Sequence, residues 1–200
     1  MTRRAELVDE TRRQITGAAA LLHTTIGPAN TSISSIAEKA GVTRLTVYRH
    51  FPDAEVLFEA CRAHWRAENP PPDALAWLEV DDLEPRARRA LGELYTWFGA
   101  HAEELYPLYR DMRTMPHAAQ ERMREDNRGL GNLLVSGHAP EGEAGRRIRA
   151  VARHLADYRT WRSLVIDRDL TDAEAVDLGV LLLVSLVDSG RPAIQTRSTG

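Results

Sequence analysis

An all-α fold is predicted by three features of this 200-residue sequence. Apolar residues recur every three to four positions in each long segment, as on one face of a helix, and no segment alternates apolar and polar residues as a strand does. Glycine and proline interrupt these segments where helices would end. The hydrophobic content of 43% is typical of a globular protein with a sizeable core, which argues against a wholly disordered chain.

Four helices are predicted in the first third of the chain, at about residues 5–26, 33–40, 44–50 and 53–67. Gly27-Pro28 ends the first helix, because proline cannot continue it. Asp53 is a suitable N-cap for the fourth helix, since its carboxylate can accept a hydrogen bond from a backbone N–H of the first turn. The three prolines that follow Asn69 then break the chain.

Five further helices are predicted at about residues 85–102, 104–113, 116–136, 143–166 and 172–189. Thr171 and Glu174 form a capping-box pattern at the start of the last one. That helix is apolar all round, so it must be covered on all sides. Because one chain of this size covers one flank, we expect a homodimer through the last two long helices, with Gly179 and Ser185 allowing close approach. A central helix in a monomer is the alternative.

The stretch TSISSIAEKAGVTRLTVYRHF, residues 31–51, has the spacing of a helix-turn-helix. Gly41 suits the turn between two short helices, because glycine adopts positive φ at a helix end without strain. Thr31 or Ser32 is expected to cap the first short helix, and Thr43 the second.

The second short helix is predicted to turn a polar face outward. If Val47 and Phe51 point inward, then Arg44, Tyr48 and Arg49 face solvent together. Such a helix fits the DNA major groove, where arginine pairs with guanine edges and hydroxyls reach phosphates. A plain helical hairpin with a solvated basic face has the same spacing. The net charge of −3, with a slightly basic first third, does not decide between the two.

The segment ISSIAEKAGVTRLTVYRHFPDAEVLFEAC resembles the N-terminal signature of the TetR family of bacterial transcription regulators. Its most specific part is the run from Tyr48 to Phe51, followed by proline, an acidic residue and Leu57-Phe58. The resemblance covers about residues 5–67. It implies three parts: a helix-turn-helix DNA-binding domain at 1–52, a linking helix at 53–67, and a helical ligand-binding and dimerisation domain at 68–200.

Carried over by position, the resemblance implies DNA contacts at eight residues. Phosphate contacts are implied for Thr31, Thr43, Tyr48 and His50. Contacts to base edges, which read sequence, are implied for Arg44, Leu45, Thr46 and Arg49.

Two positions depart from the family pattern. Leu45 stands where the family commonly has glycine; its side chain can touch a thymine methyl, but it hinders close approach of the backbone. Ala54 stands where the family usually has a lysine that binds phosphate. Binding should therefore be weaker, and its salt dependence flatter by about one unit of slope per lost contact.

The second part of the chain holds most of the aromatic residues, which line either an ordinary core or a ligand cavity. The resemblance implies a cavity among the central helices, and aromatic walls with a few polar tips suit an apolar or aromatic effector. The candidate ligand-binding residues are Trp97, His101, Tyr109, Met112, Tyr158 and Trp161. On a single helix over 143–166, His154 would join Tyr158 and Trp161 in one stripe.

No enzyme motif is present: the sequence lacks a G-x-S-x-G elbow, an H-E-x-x-H pair and a P-loop, so no catalytic residue is predicted. A metal pair of His101 and His154 would need two helices to converge, and neither a metal nor a cofactor is predicted. The single cysteine, Cys61, excludes a disulfide framework and favours a reducing, cytoplasmic setting. No signal peptide and no membrane span are expected.

The sequence therefore predicts a DNA-binding transcriptional regulator, most simply a ligand-responsive repressor that binds a palindromic double-stranded DNA operator as a homodimer. Two alternatives remain: an activator, or a helical small-molecule-binding or interaction protein whose DNA headpiece is weakened by Leu45 and Ala54.

Overall fold

The computed structural model describes residues 3–189. Within this range the secondary structure comprises ten α-helices, three 3-10 helices and no strand, which confirms the all-α prediction. The α-helices are α1 (Arg3–Thr25), α2 (Ile33–Lys39), α3 (Arg44–His50), α4 (Ala54–Glu68), α5 (Leu83–Ala100), α6 (Ala102–Arg110), α7 (His117–Leu134), α8 (Glu143–Leu155), α9 (Tyr158–Val165) and α10 (Asp172–Ser189). The 3-10 helices are Pro28–Asn30, Ala74–Glu79 and Met112–Thr114. No helix in the described range is long and apolar enough to cross a membrane.

The chain divides into two compact units. The first unit contains the chain up to Pro71 together with Gly99–Glu125, so α6 belongs with α1 to α4. The second unit contains Pro72–Phe98 and the chain from Asp126 onward. The domain boundaries expected from the sequence stay a prediction.

The first unit is built around a core that α1 to α4 share. Its fully or almost fully buried residues are Ile15, Ala19, Ala20, Ile36, Ala37, Val47, Phe51, Leu57 and Cys61. Ala37 is small and buried where α2 meets its neighbours, as its spacing predicted. The core therefore fixes α2 and α3 against the longer helices on either side of them in the sequence.

The predicted helix 143–166 is wrong, because the chain leaves the helical path at Asp157. That residue is extended (φ −89°, ψ 134°), and its carboxylate accepts a hydrogen bond from the backbone N–H of Arg159 at 2.8 Å. Asp157 thus caps a new helix, α9, instead of continuing α8. Asparagine and aspartate favour such caps because their side chains compete with the helical backbone for hydrogen bonds.

The core of the second unit is rich in aromatic rings. Phe98 lies 5.7 Å from Tyr158 and 6.1 Å from Trp161 between ring centroids, in edge-on and tilted arrangements. Such geometries are favourable because the positive ring edge meets the negative ring face. The Tyr95 hydroxyl donates to the carbonyl of Leu155 at 3.0 Å, so this polar group is satisfied inside the core.

Helix α10 buries one face and exposes the other. The buried face contains Ala175, Val176, Gly179, Val180, Leu183 and Val187. Gly179 is needed for contact within the chain, not between subunits as the sequence suggested. A Cβ added there would lie 2.8 Å from Cδ1 of Leu91 and 3.4 Å from Cδ2 of Leu155.

Candidate functional site

The start of α2 is fixed by a reciprocal cap. The backbone N–H of Ser35 donates to the Ser32 hydroxyl oxygen at 3.0 Å, and the backbone N–H of Ser32 donates to the Ser35 hydroxyl oxygen at 2.9 Å. Ser32 is therefore the N-cap. The Thr31 hydroxyl instead donates to the Gly27 carbonyl at 2.9 Å, which holds this predicted phosphate contact beside the end of α1.

The turn between α2 and α3 has the predicted geometry. Gly41 has a φ of 67°, a conformation that strains any residue with a Cβ. The backbone N–H of Val42 donates to the Ala37 carbonyl at 2.9 Å and closes the end of α2. Thr43 then caps α3, since its hydroxyl oxygen accepts from the backbone N–H of Thr46 at 3.2 Å.

The two faces of α3 have different chemistry. Val47 is fully buried and Phe51, which follows the helix, is almost so. The opposite face exposes Arg44 and Arg49 together with Leu45, whose exposed fraction is 59%. Since the caps and the turn fix the helix ends, the buried valine sets which side chains face solvent.

The other predicted DNA contacts surround this face. Tyr48 is 47% exposed, Thr43 is exposed, and Thr46 and His50 are half-buried. The Arg12 guanidinium of α1 donates to the His50 carbonyl at 2.7 Å and lies 4.2 Å over the Phe51 ring. This contact attaches the end of α3 to α1, and no pattern in the sequence had indicated it.

The exposed guanidinium groups of α3 are not neutralised by any carboxylate in the part of the chain that the structure describes. Within residues 3–189, neither Arg44 nor Arg49 has an ion-pair partner. A cationic face with an adjacent phenol and hydroxyls can bind a polyanion through both charge and hydrogen bonds. The eight predicted DNA-contact residues thus lie on one two-helix motif and the segment directly before it.

The two departures from the family pattern are both at exposed positions. Leu45 is the second residue of α3, and Ala54 is the first residue of α4. Asp53 caps α4 as predicted, with its carboxylate accepting from the backbone N–H of Val56 at 2.8 Å.

A buried carboxylate joins α6 to the end of α1. Asp111 accepts two hydrogen bonds from Arg110, at 2.7 and 2.9 Å, and one from the backbone N–H of Ala29 at 3.1 Å. Arg110 also donates to the Ile26 carbonyl at 2.9 Å. The hydrogen bond from Arg110 holds the pKa of the Asp111 carboxyl below its usual range. No local sequence pattern indicates this link, because Ala29 precedes Asp111 by 82 residues.

A second link joins α6 to α4. The Trp65 indole N–H donates to the Glu104 carboxylate at 2.8 Å, and the His101 ring meets the Trp65 ring edge-on at 5.4 Å between centroids. Helix α6 therefore contacts both α1 and α4 within the first unit.

The candidate ligand-binding residues fall into the two units separately. Trp97, Tyr158 and Trp161 belong to the second unit, and His101, Tyr109 and Met112 to the first. Tyr158 and Trp161 are fully or almost fully buried in the aromatic core. The Trp161 indole N–H donates to the Asp172 carboxylate at 2.8 Å, so this tryptophan also anchors the start of α10. The stripe that His154 would form with these two residues is interrupted at Asp157.

Comparison with known proteins agrees with this geometry. Residues 15–61 match the family model described as bacterial regulatory proteins, tetR family. No curated protein sequence matches the chain significantly.

Several solved structures have the same fold. A tetR-family transcriptional regulator from Streptomyces coelicolor has 23% sequence identity and a TM-score of 0.60, over 89% of this chain and 80% of that chain. A TetR-like transcriptional regulator from Rhodococcus sp. RHA1 has 23% identity and a TM-score of 0.52, over 90% and 97% of the two chains. A TetR transcription regulator from Haloarcula marismortui ATCC 43049 has 15% identity and a TM-score of 0.53, over 90% and 98%. The helix-turn-helix region of the chain therefore matches the TetR family model, and most of the chain has the fold of these solved structures.

Proposed function

We propose that the protein is a ligand-responsive repressor that binds a palindromic operator as a homodimer, and that it acts by binding, not by catalysis. The main supporting observation is the capped helix α3, whose exposed face carries two guanidinium groups without a carboxylate partner among the described residues. In the bound state Arg44, Leu45, Thr46 and Arg49 face base edges. Thr31, Thr43, Tyr48 and His50 contact phosphates.

The exposed face of α10 supports the homodimer. Leu178, Leu181 and Leu182 are 37%, 63% and 48% exposed, and they share the face opposite the buried one. Clustered apolar side chains of this kind mark a protein interface, because their burial removes apolar surface from water. A second copy presents the same face, so a two-fold axis through α10 covers both. Two copies of α3 then read two half-sites in opposite directions.

The links from α6 to α1 and α4 support a route from ligand to DNA. A ligand that moves α6 acts on α1 through Asp111 and on α4 through Trp65. Since α4 follows the helix-turn-helix directly, its displacement changes the position of α3. The ligand shifts this equilibrium only by its difference in affinity for the two conformations. The candidate residues for an apolar or aromatic effector remain those predicted from the sequence.

Fluorescence anisotropy with DNA from the protein's own promoter and flanking intergenic regions tests the proposal. Across a salt series, wild-type binding should weaken steeply, with a log–log slope of about −0.9 for each phosphate contact. Arg44→Ala should weaken binding by about 10- to 100-fold, and Tyr48→Phe by about tenfold. Arg147→Ala on α8 is the matched control, because this exposed arginine lies outside the first unit, which contains the helix-turn-helix.

The outcome separates the alternatives. Weak, unselective binding that neither substitution changes would contradict the proposal and favour a binding protein whose headpiece no longer holds DNA, as Leu45 and Ala54 would allow. A promoter–reporter assay in cells with and without the gene then gives the sign of regulation. Higher expression without the gene is expected for a repressor, and lower expression would identify an activator.

A further inference from the structure

A polar groove of about 630 Å³ lies at the break between α8 and α9. Arg153 and His154 come from the end of α8, Asp157 from the break, Thr160 from α9, and Asn127 from α7. The groove depends on the break, because Asp157 redirects the chain and α9 does not extend the line of α8. Its volume is within the range of small-molecule sites.

Arg153 is the one lining guanidinium without a carboxylate partner among the described residues. Its Nη2 donates to the Asn132 side-chain oxygen at 3.0 Å, while its Nε is buried and meets no acceptor from residues 3–189. Helix α7 holds the stem in place: a Cβ on Gly131 would lie 2.5 Å from Cγ of Arg153. Arg153 as a whole is half-buried and lines the groove, so its positive charge is within reach of a bound molecule, and an anionic oxygen is the strongest acceptor for a guanidinium N–H.

The acidic residue of the groove is already neutralised. Arg159 donates to the Asp157 carboxylate twice, from Nε and from Nη2, both at 3.0 Å. This bidentate pair cancels the one negative charge that would repel an anion. The groove is thus left with the charge of Arg153, the His154 ring, and the hydroxyl of Thr160, which lies 3.2 Å from Nδ1 of His154.

The remaining lining is mostly polar. Ser163 and Asn127 add a hydroxyl and an amide, and only Ala150 and Leu164 are apolar. None of the residues predicted to bind an apolar or aromatic effector lines this groove. Its chemistry therefore favours a hydrated, negatively charged molecule.

We propose that this groove binds a small polar anion through carboxylate or phosphate oxygens held by Arg153. The binding itself does not depend on the repressor function, so either proposal can fail without the other. The groove is distinct from the aromatic core around Phe98.

Isothermal titration calorimetry of the full-length protein with three related probes tests this assignment. Glucose is neutral, gluconate is its open-chain oxidation product with a carboxylate at C1, and glucose 6-phosphate carries a phosphate on the sugar. At least one anion should bind with a Kd below about 10 mM, and at least tenfold more tightly than glucose. Binding of gluconate alone or of glucose 6-phosphate alone would identify the oxygen source. Equal binding of all three, or no binding of either anion at that concentration, would overturn the proposal.

Two substitutions locate the binding. Arg153→Met keeps the aliphatic stem beside Gly131 and removes the charge; it should lower anion affinity at least tenfold. Arg147→Met removes an exposed charge from the same helix outside the groove, and should change affinity by less than about twofold. Unchanged affinity in folded Arg153→Met would place the anion elsewhere and overturn the assignment. If Arg153→Met does not fold, hydrogen exchange of the wild type with the bound anion replaces it. Protection confined to residues 150–164 supports the groove, and protection elsewhere excludes it.

Discussion

Helices α3 and α10 each bury one apolar face and expose another, but the exposed faces have opposite chemistry. On α3, Val47 is buried and Arg44 is exposed without an ion-pair partner in the described chain. On α10, Leu183 is buried, and Leu181 is 63% exposed. In both helices the buried face packs against other residues of the same chain. The exposed faces therefore indicate what each helix contacts outside its own chain.

Under the proposed function, this difference favours a different kind of partner for each helix. A cationic face with hydroxyls binds a polyanion much more favourably than it binds an apolar surface. An exposed leucine face makes no favourable contact with DNA. Contact with a second apolar face stabilises it, because apolar surface is removed from water. In the proposed repressor, sequence-specific binding to a palindrome needs both contacts, since α10 is expected to pair the two copies of α3.

The largest effect is expected from breaking the leucine face. Leu181→Asp with Leu182→Asp places two carboxylates in the proposed interface, where their burial without partners is costly. The dimer should dissociate, and operator affinity should fall by at least about 100-fold because one half-site is lost. Analytical ultracentrifugation and anisotropy measure the two results.

Leu75→Asp is the control for this double variant. Leu75 is 66% exposed, much like Leu181, but it lies in the 3-10 helix Ala74–Glu79. The control should remain a dimer with normal operator affinity. Dissociation of both variants, or of neither, would contradict the special role of the α10 face.

The next largest effect is a loss of stability at acid pH that comes from a buried histidine of the first unit. His23 is 7% exposed and stacks on Phe58 at 4.5 Å between ring centroids. Burial lowers its pKa from 6.5 to about 4. Below pH 6.5 the unfolded chain takes up a proton that the folded protein does not. The stability present above pH 6.5 is therefore lost as the pH falls towards 4, by up to about 3 kcal/mol.

Urea unfolding at several pH values between 7 and about 4 measures this loss. His23→Leu should flatten the pH dependence in this window, because the residue no longer titrates. An unchanged slope in His23→Leu would mean that another group is responsible. The buried face of α10 contains no titratable residue, so acid is expected to weaken the first unit before it affects that face.

A smaller effect, of opposite sign in the two units, is expected at two glycines. A Cβ at Gly41 or at Gly92 would meet no atom within 4 Å, so only the backbone differs. Gly41→Ala should cost about 1 kcal/mol, because its φ is 67°. Gly92→Ala lies inside α5 and should stabilise by up to about 1 kcal/mol. Thermal unfolding of both variants checks the signs, and equal signs would contradict the turn geometry.

The smallest effect is expected from restoring a cation at the start of α4. Ala54→Lys should tighten operator binding a few-fold and steepen the salt dependence by about one unit of slope. Ala63→Lys adds the same charge to an exposed position farther along α4 and should leave the slope unchanged. An equal change in both variants would show that net charge, not a phosphate contact at position 54, is responsible.

The headpiece follows from the sequence because its rules are local. Gly41, Thr43 and Asp53 each act on neighbours within a few residues, and the predicted bounds of α3 are those in the structure. The bounds of α10 were also predicted, since Thr171 and Glu174 form the expected capping box.

The features that sequence analysis missed depend on distant contacts. Arg86 is buried, and it donates to the carbonyls of Val80, Asp81 and Ser136 at distances between 2.5 and 3.2 Å. No local pattern marks an arginine for that role. The break at Asp157 had a local signal, the aspartate itself, but the continuing apolar period on both sides of it outweighed that signal.

Selection of DNA from a random library by the full-length protein tests DNA reading by α3 and pairing through α10 together, because the enriched sequence reports on both helices at once. We expect an inverted repeat whose half-site centres lie about one helical turn, or slightly more, apart. We also expect Arg44→Ala to relax the preference at one position in each half-site. Enrichment of a single asymmetric site would contradict the pairing through α10, and no enrichment would contradict sequence reading by α3.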